Sequence, residues 1–440
     1  VFSLISKGII VSDLFRDLPP LNEQIVVYHK LLVWAGALSS RFAGWGLYQL
    51  RAVSAVAGLA TLMMLLLSTQ NHVPLRTRLA ATSILALTPI FWEHAIMFRP
   101  EAIVCCYGLA SFLCIQRYLQ RSQIGWIVVA GAGAGLASLA HAVGLAFAAA
   151  GAITLIVEKR YRSAILLVIL SVLVFLPYVF GFLTDRSLFI DQLLHNRVMT
   201  PQAAFAWWQP LVNLVEEHKR IFRQPGVIGI SVAFILSLLV MRSREWRVNR
   251  PLLVYTMTLL VLFGMSPLPK ITRYTTPLTP LFAMVVAQVW QQTDLTGISG
   301  CRRTIHGILK VWLVIFFLYG TGALGWAAFD RSHEIRTNAK LAALMQPGSL
   351  VIAPFDFVFE QQPHFTIQSW WGARRSCAPA CAVSALEQYA KDLNVQYIIL
   401  DPEMMKVWGV NPEFLDRQFS LYELRQGLPE EKRWLLEIKN

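Results

Sequence analysis

Ser163-Ala164-Ile165-Leu166-Leu167-Val168-Ile169-Leu170-Ser171-Val172-Leu173-Val174-Phe175-Leu176-Pro177-Tyr178-Val179-Phe180-Gly181-Phe182-Leu183 is one unbroken apolar run without a charged side chain. Its length matches the roughly 20 apolar residues a helix needs to cross a bilayer core. It shows no period-2 alternation, which argues against a strand and against the wall of an outer-membrane barrel. Runs of this kind recur along the first 330 positions. Membrane helices are expected at 46–69, 78–93, 101–119, 124–140, 142–157, 163–183, 226–241, 251–266, 274–291 and 305–329. The fold class is therefore a polytopic α-helical membrane protein with about ten spanning helices.

Composition agrees. The 440 residues are 55% hydrophobic and 15% charged, against about 25% charged in soluble proteins. Mean hydropathy is +0.51. The net charge of +13 does not indicate nucleic-acid binding, because the basic residues sit in short clusters between apolar runs. Alternate loops carry Arg76 and Arg78; Arg117 and Arg121; Lys159, Arg160 and Arg162; Arg242, Arg244, Arg247 and Arg250; Arg302 and Arg303. The short loops between them carry only Arg99, Lys270 and Arg273, and the His141 turn has none. By the positive-inside rule the first set is cytoplasmic. The segment 1–45, the loop 184–225 and the segment 330–440 then lie outside a plasma (inner) membrane. With Val1 as the first residue, an even number of helices and both ends outside, a further membrane helix is expected upstream.

The loop 184–225 mixes Phe205, Trp207, Trp208, Leu211, Val212, Leu214 and Val215 with Glu216, Glu217, His218, Lys219 and Arg220. That mixture reads as a helix lying in the membrane interface. After Phe329 the composition turns polar. Strands are expected at 349–354 and 395–401, with a helix over 384–393 between them, which gives a small C-terminal α/β domain at 330–440. Cys377 and Cys381 lie in it. Outside the cytoplasm a disulfide fits, and free thiols or a metal site remain open. Cys105, Cys106, Cys114 and Cys301 read as packing residues.

The candidate chemistry collects on the outer side. Glu101 opens a membrane helix in Met97-Phe98-Arg99-Pro100-Glu101. Proline at the first helical position and an acid in the first turn are ordinary helix-start signals. A carboxylate next to hydrocarbon is nonetheless costly and marks a functional position; burial raises its usefulness as a base. Arg99 either orients it or binds an anion. Lys270, Arg273 and Tyr274 form a second cluster, whose cations suit a phosphate or a lipid headgroup. Asp13, Arg16, Asp17 and Glu23 charge the first loop, and His94 and His141 also face outwards. No nucleotide-binding or zinc-protease motif stands in a sensible context, and no metal ligand set is identified.

Four segments carry a family likeness: Gly8 to Leu31 with Asp17, Pro19 and Pro20; the Arg-x-x-Ser-x-x-x-Gly pattern from Arg51 through Ser54 to Gly58; Phe98-Arg99-Pro100-Glu101; and Lys270 through Pro280. Together they resemble the GT-C membrane glycosyltransferases, in the bacterial branch similar to protein mannosyltransferases and the aminoarabinose transferase of lipid A. The resemblance implies transfer of a sugar from a polyprenyl-phosphate donor to a lipid, glycan or protein acceptor at the outer face. It implies catalytic roles for Glu101 and Asp17. It implies substrate contacts for Arg99, Lys270, Arg273, Tyr274 and His141. A catalytic Asp is expected soon after the first membrane helix, just upstream of Val1. No nucleotide is required, and a divalent metal is compatible. The competing expectations are a transporter or lipid flippase, with broken helices such as one at Gly131, Gly133 and Gly135, and a non-catalytic relative of the same fold.

Overall fold

The computed structural model describes residues 29–44, 47–68, 73–184, 208–266, 272–291, 300–330, 332–354, 364–369, 382–430 and 432–439, with a few isolated positions besides. Asp17, Lys270, Cys377 and Cys381 lie outside the described residues. The chain divides into two compact units. One takes 26–36 and 50–325; the other takes 37–49 and 326–440 among its described parts.

The larger unit is helical. In order come α1 (Lys30–Ala43), α2 (Leu47–Leu67), α3 (Leu75–Ala86), α4 (Pro89–Ala95), α5 (Pro100–Arg121), α6 (Gly125–Ala140), α7 (Leu145–Val157) and α8 (Tyr161–Thr184). Then follow α9 (Gln209–Val215), α10 (His218–Ile221), α11 (Pro225–Val240), α12 (Ser243–Val248), α13 (Arg250–Met265), a 3-10 segment Thr272–Leu278, α14 (Thr279–Gln291) and α15 (Gly300–Asp330). The ends of α1, α2 and α15 belong to the smaller unit. Among the described residues, four helices are long and apolar enough to cross a membrane, or five if α9–α10 and α11 form one bent span. Three shorter apolar helices accompany them.

Each expected helix corresponds to helical chain; the run 142–157 opens with a 3-10 turn, Ala142–Gly144, and two others differ more. The run 78–93 breaks at Leu87–Thr88, where Thr88 turns extended and Pro89 restarts the helix as α4. A residue before proline is driven out of the helical region. The run 274–291 begins as a 3-10 segment, so Arg273 and Tyr274 sit on a tight turn instead of a regular helix. The Gly-rich α6 is not broken. Its glycines admit α8: a side chain at Gly131 would lie 2.7 Å from Leu170, and one at Gly135 would lie 2.6 Å from Val174. Ser171 Oγ donates to the Gly131 carbonyl across the same contact at 3.1 Å. Small residues thus close a helix pair, where the sequence had allowed a transporter-like break.

The loop helices α9 and α10 bury Glu217 and Arg220, while His218 and Lys219 stay exposed. Glu217 and Arg220 form a buried ion pair, with Arg220 Nε at 2.8 Å from Glu217 Oε1. Trp208, Leu211, Val215 and Phe222 are exposed. Exposed apolar side chains fit the expected interfacial helix; the burial of Glu217 and Arg220 was not expected. Cys301 is exposed, so it is not the packing residue expected.

The smaller unit carries a five-stranded sheet in the order β2-β1-β3-β5-β4. Its strands are β1 (Leu350–Ala353), β2 (Thr366–Ser369), β3 (Tyr397–Leu400), β4 (Tyr422–Leu428) and β5 (Arg433–Ile438). β1 pairs in parallel with β2 and β3, while β5 pairs antiparallel with β3 and β4. α17 (Val383–Asp392), with α16 (Ser332–Ala342) earlier in the chain, and α18 (Pro402–Trp408) complete the unit's main helices. Leu386, Ile398, Met404, Trp408, Tyr422 and Leu436 share its core. The Glu387 carboxylate accepts from Ser420 Oγ and the Leu421 amide, which satisfies a buried charge between helix and sheet.

Candidate functional site

Arg99 precedes Pro100 and is extended, with φ −142° and ψ 151°. The pyrrolidine ring imposes this on the residue before it. Residues two apart on a helix do not face each other, so Arg99 can reach Glu101 only from outside the helix. It does so with both arms of its fork: Nε lies 3.2 Å from Oε2, and Nη2 lies 3.2 Å from Oε1. This is the bidentate geometry for which guanidinium and carboxylate are matched.

A second guanidinium approaches the same carboxylate. Arg273 Nε lies 3.7 Å from Glu101 Oε1, beyond hydrogen-bond reach, and has no hydrogen-bond partner among the described residues. Glu101 is 4% exposed, whereas the Arg99 and Arg273 side chains are 32% and 31% exposed. The acid is inside and the two cations lead outwards. Arg273 also lies over the Tyr274 ring, 5.2 Å from its centroid, as a guanidinium does on an aromatic face.

The cluster continues through rings. His141 meets Tyr274 edge-on at 5.6 Å and stacks on His29 at 4.5 Å. His141 sits at the turn between α6 and α7, where its Nδ1 accepts from the Val143 amide at 3.1 Å. In the neutral ring the proton is then on Nε2, which makes His141 a donor. Desolvation holds the His141 ring down to about 4; Glu101 pulls upward, while Arg273 and Arg99 push down. His29 is held well below its ordinary value, first by desolvation and then by His141 and Arg99.

Buttresses hold these pieces. Ser54 Oγ on α2 is 3.1 Å from both the amide nitrogen and the carbonyl oxygen of Arg99. Thr272 Oγ1, next to Arg273, donates to Gln224 Oε1 at 2.6 Å. His94 is buried and shares its Nδ1 between the Ile90 carbonyl at 2.8 Å and Thr276 Oγ1 at 3.1 Å. It ties α4 to the 3-10 segment.

The structure therefore brings Arg99, Glu101, Arg273, Tyr274 and His141 into one cluster. Their sequence separation reaches from 99 to 274. Asp17 and Lys270 fall outside the described residues. His29 and Thr272 carried no signal in the sequence, since a lone His or Thr at a helix end is common. No group of three His, Cys, Asp or Glu side chains able to hold a metal occurs among the described residues.

Residues 31–183 match the family model described as dolichyl-phosphate-mannose-protein mannosyltransferase. No curated protein matches the chain. Among solved structures it is similar to ArnT from Cupriavidus metallidurans bound to undecaprenyl phosphate, at 13% identity and TM-score 0.62, covering 99% of this chain and 92% of that one. The apo state of that protein gives 12% identity and TM-score 0.61 over the same shares. The archaeal oligosaccharyltransferase AglB from Archaeoglobus fulgidus, in complex with an inhibitory peptide and a dolichol-phosphate, is similar at 11% identity and TM-score 0.52, covering 98% of this chain and 70% of that one. At these identities the likeness is one of fold.

Proposed function

We propose that this membrane protein, whose fold is that of the GT-C glycosyltransferases, moves a sugar from a polyprenyl-phosphate carrier to an acceptor hydroxyl at the outer face of a plasma (inner) membrane. The observation that carries the proposal is the pair of partly exposed guanidiniums, Arg99 and Arg273, converging on one buried carboxylate. With Glu101 ionised and His141 neutral, those three charges sum to a positive site. That suits an anionic lipid phosphate. The lipid phosphates named with ArnT and AglB support the same donor class, and the family model supports a mannosyltransferase-like reaction.

The chemistry follows from charge. The acceptor hydroxyl attacks the anomeric carbon as the carbon–phosphate oxygen bond breaks. Negative charge grows on the departing phosphate, and Arg99, Arg273 and Lys270 stabilise it. Both Glu101 oxygens already face guanidinium groups, so its part is to hold those cations in place. Asp17, or an acid from the same outer loop, takes the acceptor proton. Tyr274 and the His141 Nε2–H contact the donor beside the phosphate. The acceptor is a lipid, glycan or protein hydroxyl.

The test uses the full-length protein in proteoliposomes with a panel of labelled polyprenyl-phosphate sugars. Transfer to an extracted membrane acceptor is expected, and Arg99→Gln with Arg273→Gln should abolish it. Undiminished transfer in that double variant would overturn the site.

A further inference from the structure

We infer that Ser54 is a positioning residue of the anion site: its hydroxyl clamps the Arg99 peptide and thereby aims the Arg99 guanidinium. The inference rests on the reading of Arg99 as a phosphate-binding residue.

Ser54 is fully buried on α2. Its Oγ donates to the Arg99 carbonyl and accepts from the Arg99 amide, each at 3.1 Å. One hydroxyl thus satisfies both main-chain groups of a single residue 45 positions away. A hydroxyl is well suited to this, having one donor and two acceptor lone pairs. The Arg99 carbonyl also opens the helix bonding of α5 as its N-cap, whereas the Arg99 amide lies before the helix and takes Ser54 as its acceptor.

The consequence for the side chain is geometric. The Arg99–Glu101 contact spans two residues, a spacing that a helix does not bring together. It exists because Arg99 is extended. Proline disfavours the helical alternative at Arg99 but leaves a broad extended range open. Ser54 narrows that range by holding the two peptide planes on either side of the Arg99 Cα. Gly58, one turn further along α2, lets the clamp close: a side chain there would lie 2.8 Å from the Ala95 Cβ. The spacing of Ser54 and Gly58 therefore places a clamp and a clearance on one helix face, against the two ends of the Ile96–Arg99 connection. A serine that merely paired with its own helix would bond the carbonyl four residues back, as Thr61 does with Ala57 at 2.8 Å. Ser54 forgoes that bond for Arg99.

The experiment measures undecaprenyl phosphate binding to the full-length protein in nanodiscs, as Kd of the folded fraction, alongside the thermal midpoint. Ser54→Ala should weaken binding about tenfold, the scale of one or two buried hydrogen bonds. Ser54→Thr should keep most of the affinity, and Ser54→Cys, with its weak donor, should fall between. In the Arg99→Gln background, Ser54→Ala should change Kd by less than about twofold, because the two residues act through one group. If Arg99→Gln alone leaves Kd unchanged, the phosphate-site reading fails. If Arg99→Gln weakens binding but Ser54→Ala leaves Kd unchanged, or its effect adds in full to that of Arg99→Gln, the positioning role is overturned. Should Ser54→Ala not fold, the Ser54→Cys and Ser54→Thr pair decides: equal affinities would sink the proposal.

Discussion

Glu101 shows what one residue's surroundings add to its chemistry. The sequence placed an acid at a costly position and assigned it the role of a base. The structure fills both of its oxygens with guanidinium contacts, which suits an orienting anion. Two variants separate these roles. Glu101→Gln keeps the shape and removes the charge, so it should lower kcat/KM by about 100-fold, within the range for lost electrostatic preorganisation, chiefly through KM for the lipid donor. A base would show the loss in kcat instead. Arg99→Lys keeps the charge and loses the fork, and should raise KM by about tenfold, because lysine acts as a point charge where arginine is bidentate. The Phe98-Arg99-Pro100-Glu101 stretch made this pair legible, since proline forces Arg99 out of the helix. His29 was not legible. Its significance comes from stacking on His141, more than a hundred positions along, and nothing local marks that contact.

At the scale of elements, packing overruled composition in two places. The α9–α10 arm reads as an ordinary amphipathic surface helix. Tertiary contacts bury Glu217 and Arg220 as a pair within it, while His218 and Lys219 stay exposed. Breaking a buried pair from one side is expensive, so Arg220→Met should cost about 3 kcal/mol and lower the thermal midpoint in detergent. Just beyond the arm, Gln224 accepts a hydrogen bond from Thr272, beside Arg273. The second place is the break between α3 and α4. Leu87 there meets Gly320 of α15 so closely that a Cβ would lie 2.2 Å from the Leu87 carbonyl oxygen. Backbone cannot yield as a side chain end can, so Gly320→Ala should destabilise by about 1–3 kcal/mol, the usual cost of overpacking. Equal thermal midpoints for wild type and variant would refute this contact. Helix positions were legible as apolar runs, although among the described residues only four or five are long and apolar enough to span, against the ten expected.

At the scale of the molecule, the loop charges propose an orientation. By that proposal the basic loops are cytoplasmic, and Glu101, Arg273 and residues 330–440 lie outside. Single cysteines at Arg303 and at Glu430, tested with a membrane-impermeant thiol reagent in intact cells, should give labelling at position 430 and none at 303. The reverse pattern would invert the topology and remove the site from the outer face. The natural cysteines would first be replaced, Cys301 above all, since it is exposed. In the smaller unit, β1, β3 and α17 were legible as an apolar strand, an amphipathic helix and another strand. β4 was hidden: its residues are mostly exposed along Glu423 to Gln426, so they lack the apolar pattern that marks a strand.

What the sequence determined alone is the class of protein and the positions of its helices. Desolvating the backbone in a membrane demands long apolar segments, and that demand is written residue by residue. It also offered Arg99 as a partner for Glu101 or for an anion, since the two stand together at a helix start. The site as a whole was decided only by tertiary structure. Electrostatic and aromatic contacts depend on distance in space, and the chain brings Ser54, Arg99, His141 and Arg273 together only after its helices pack.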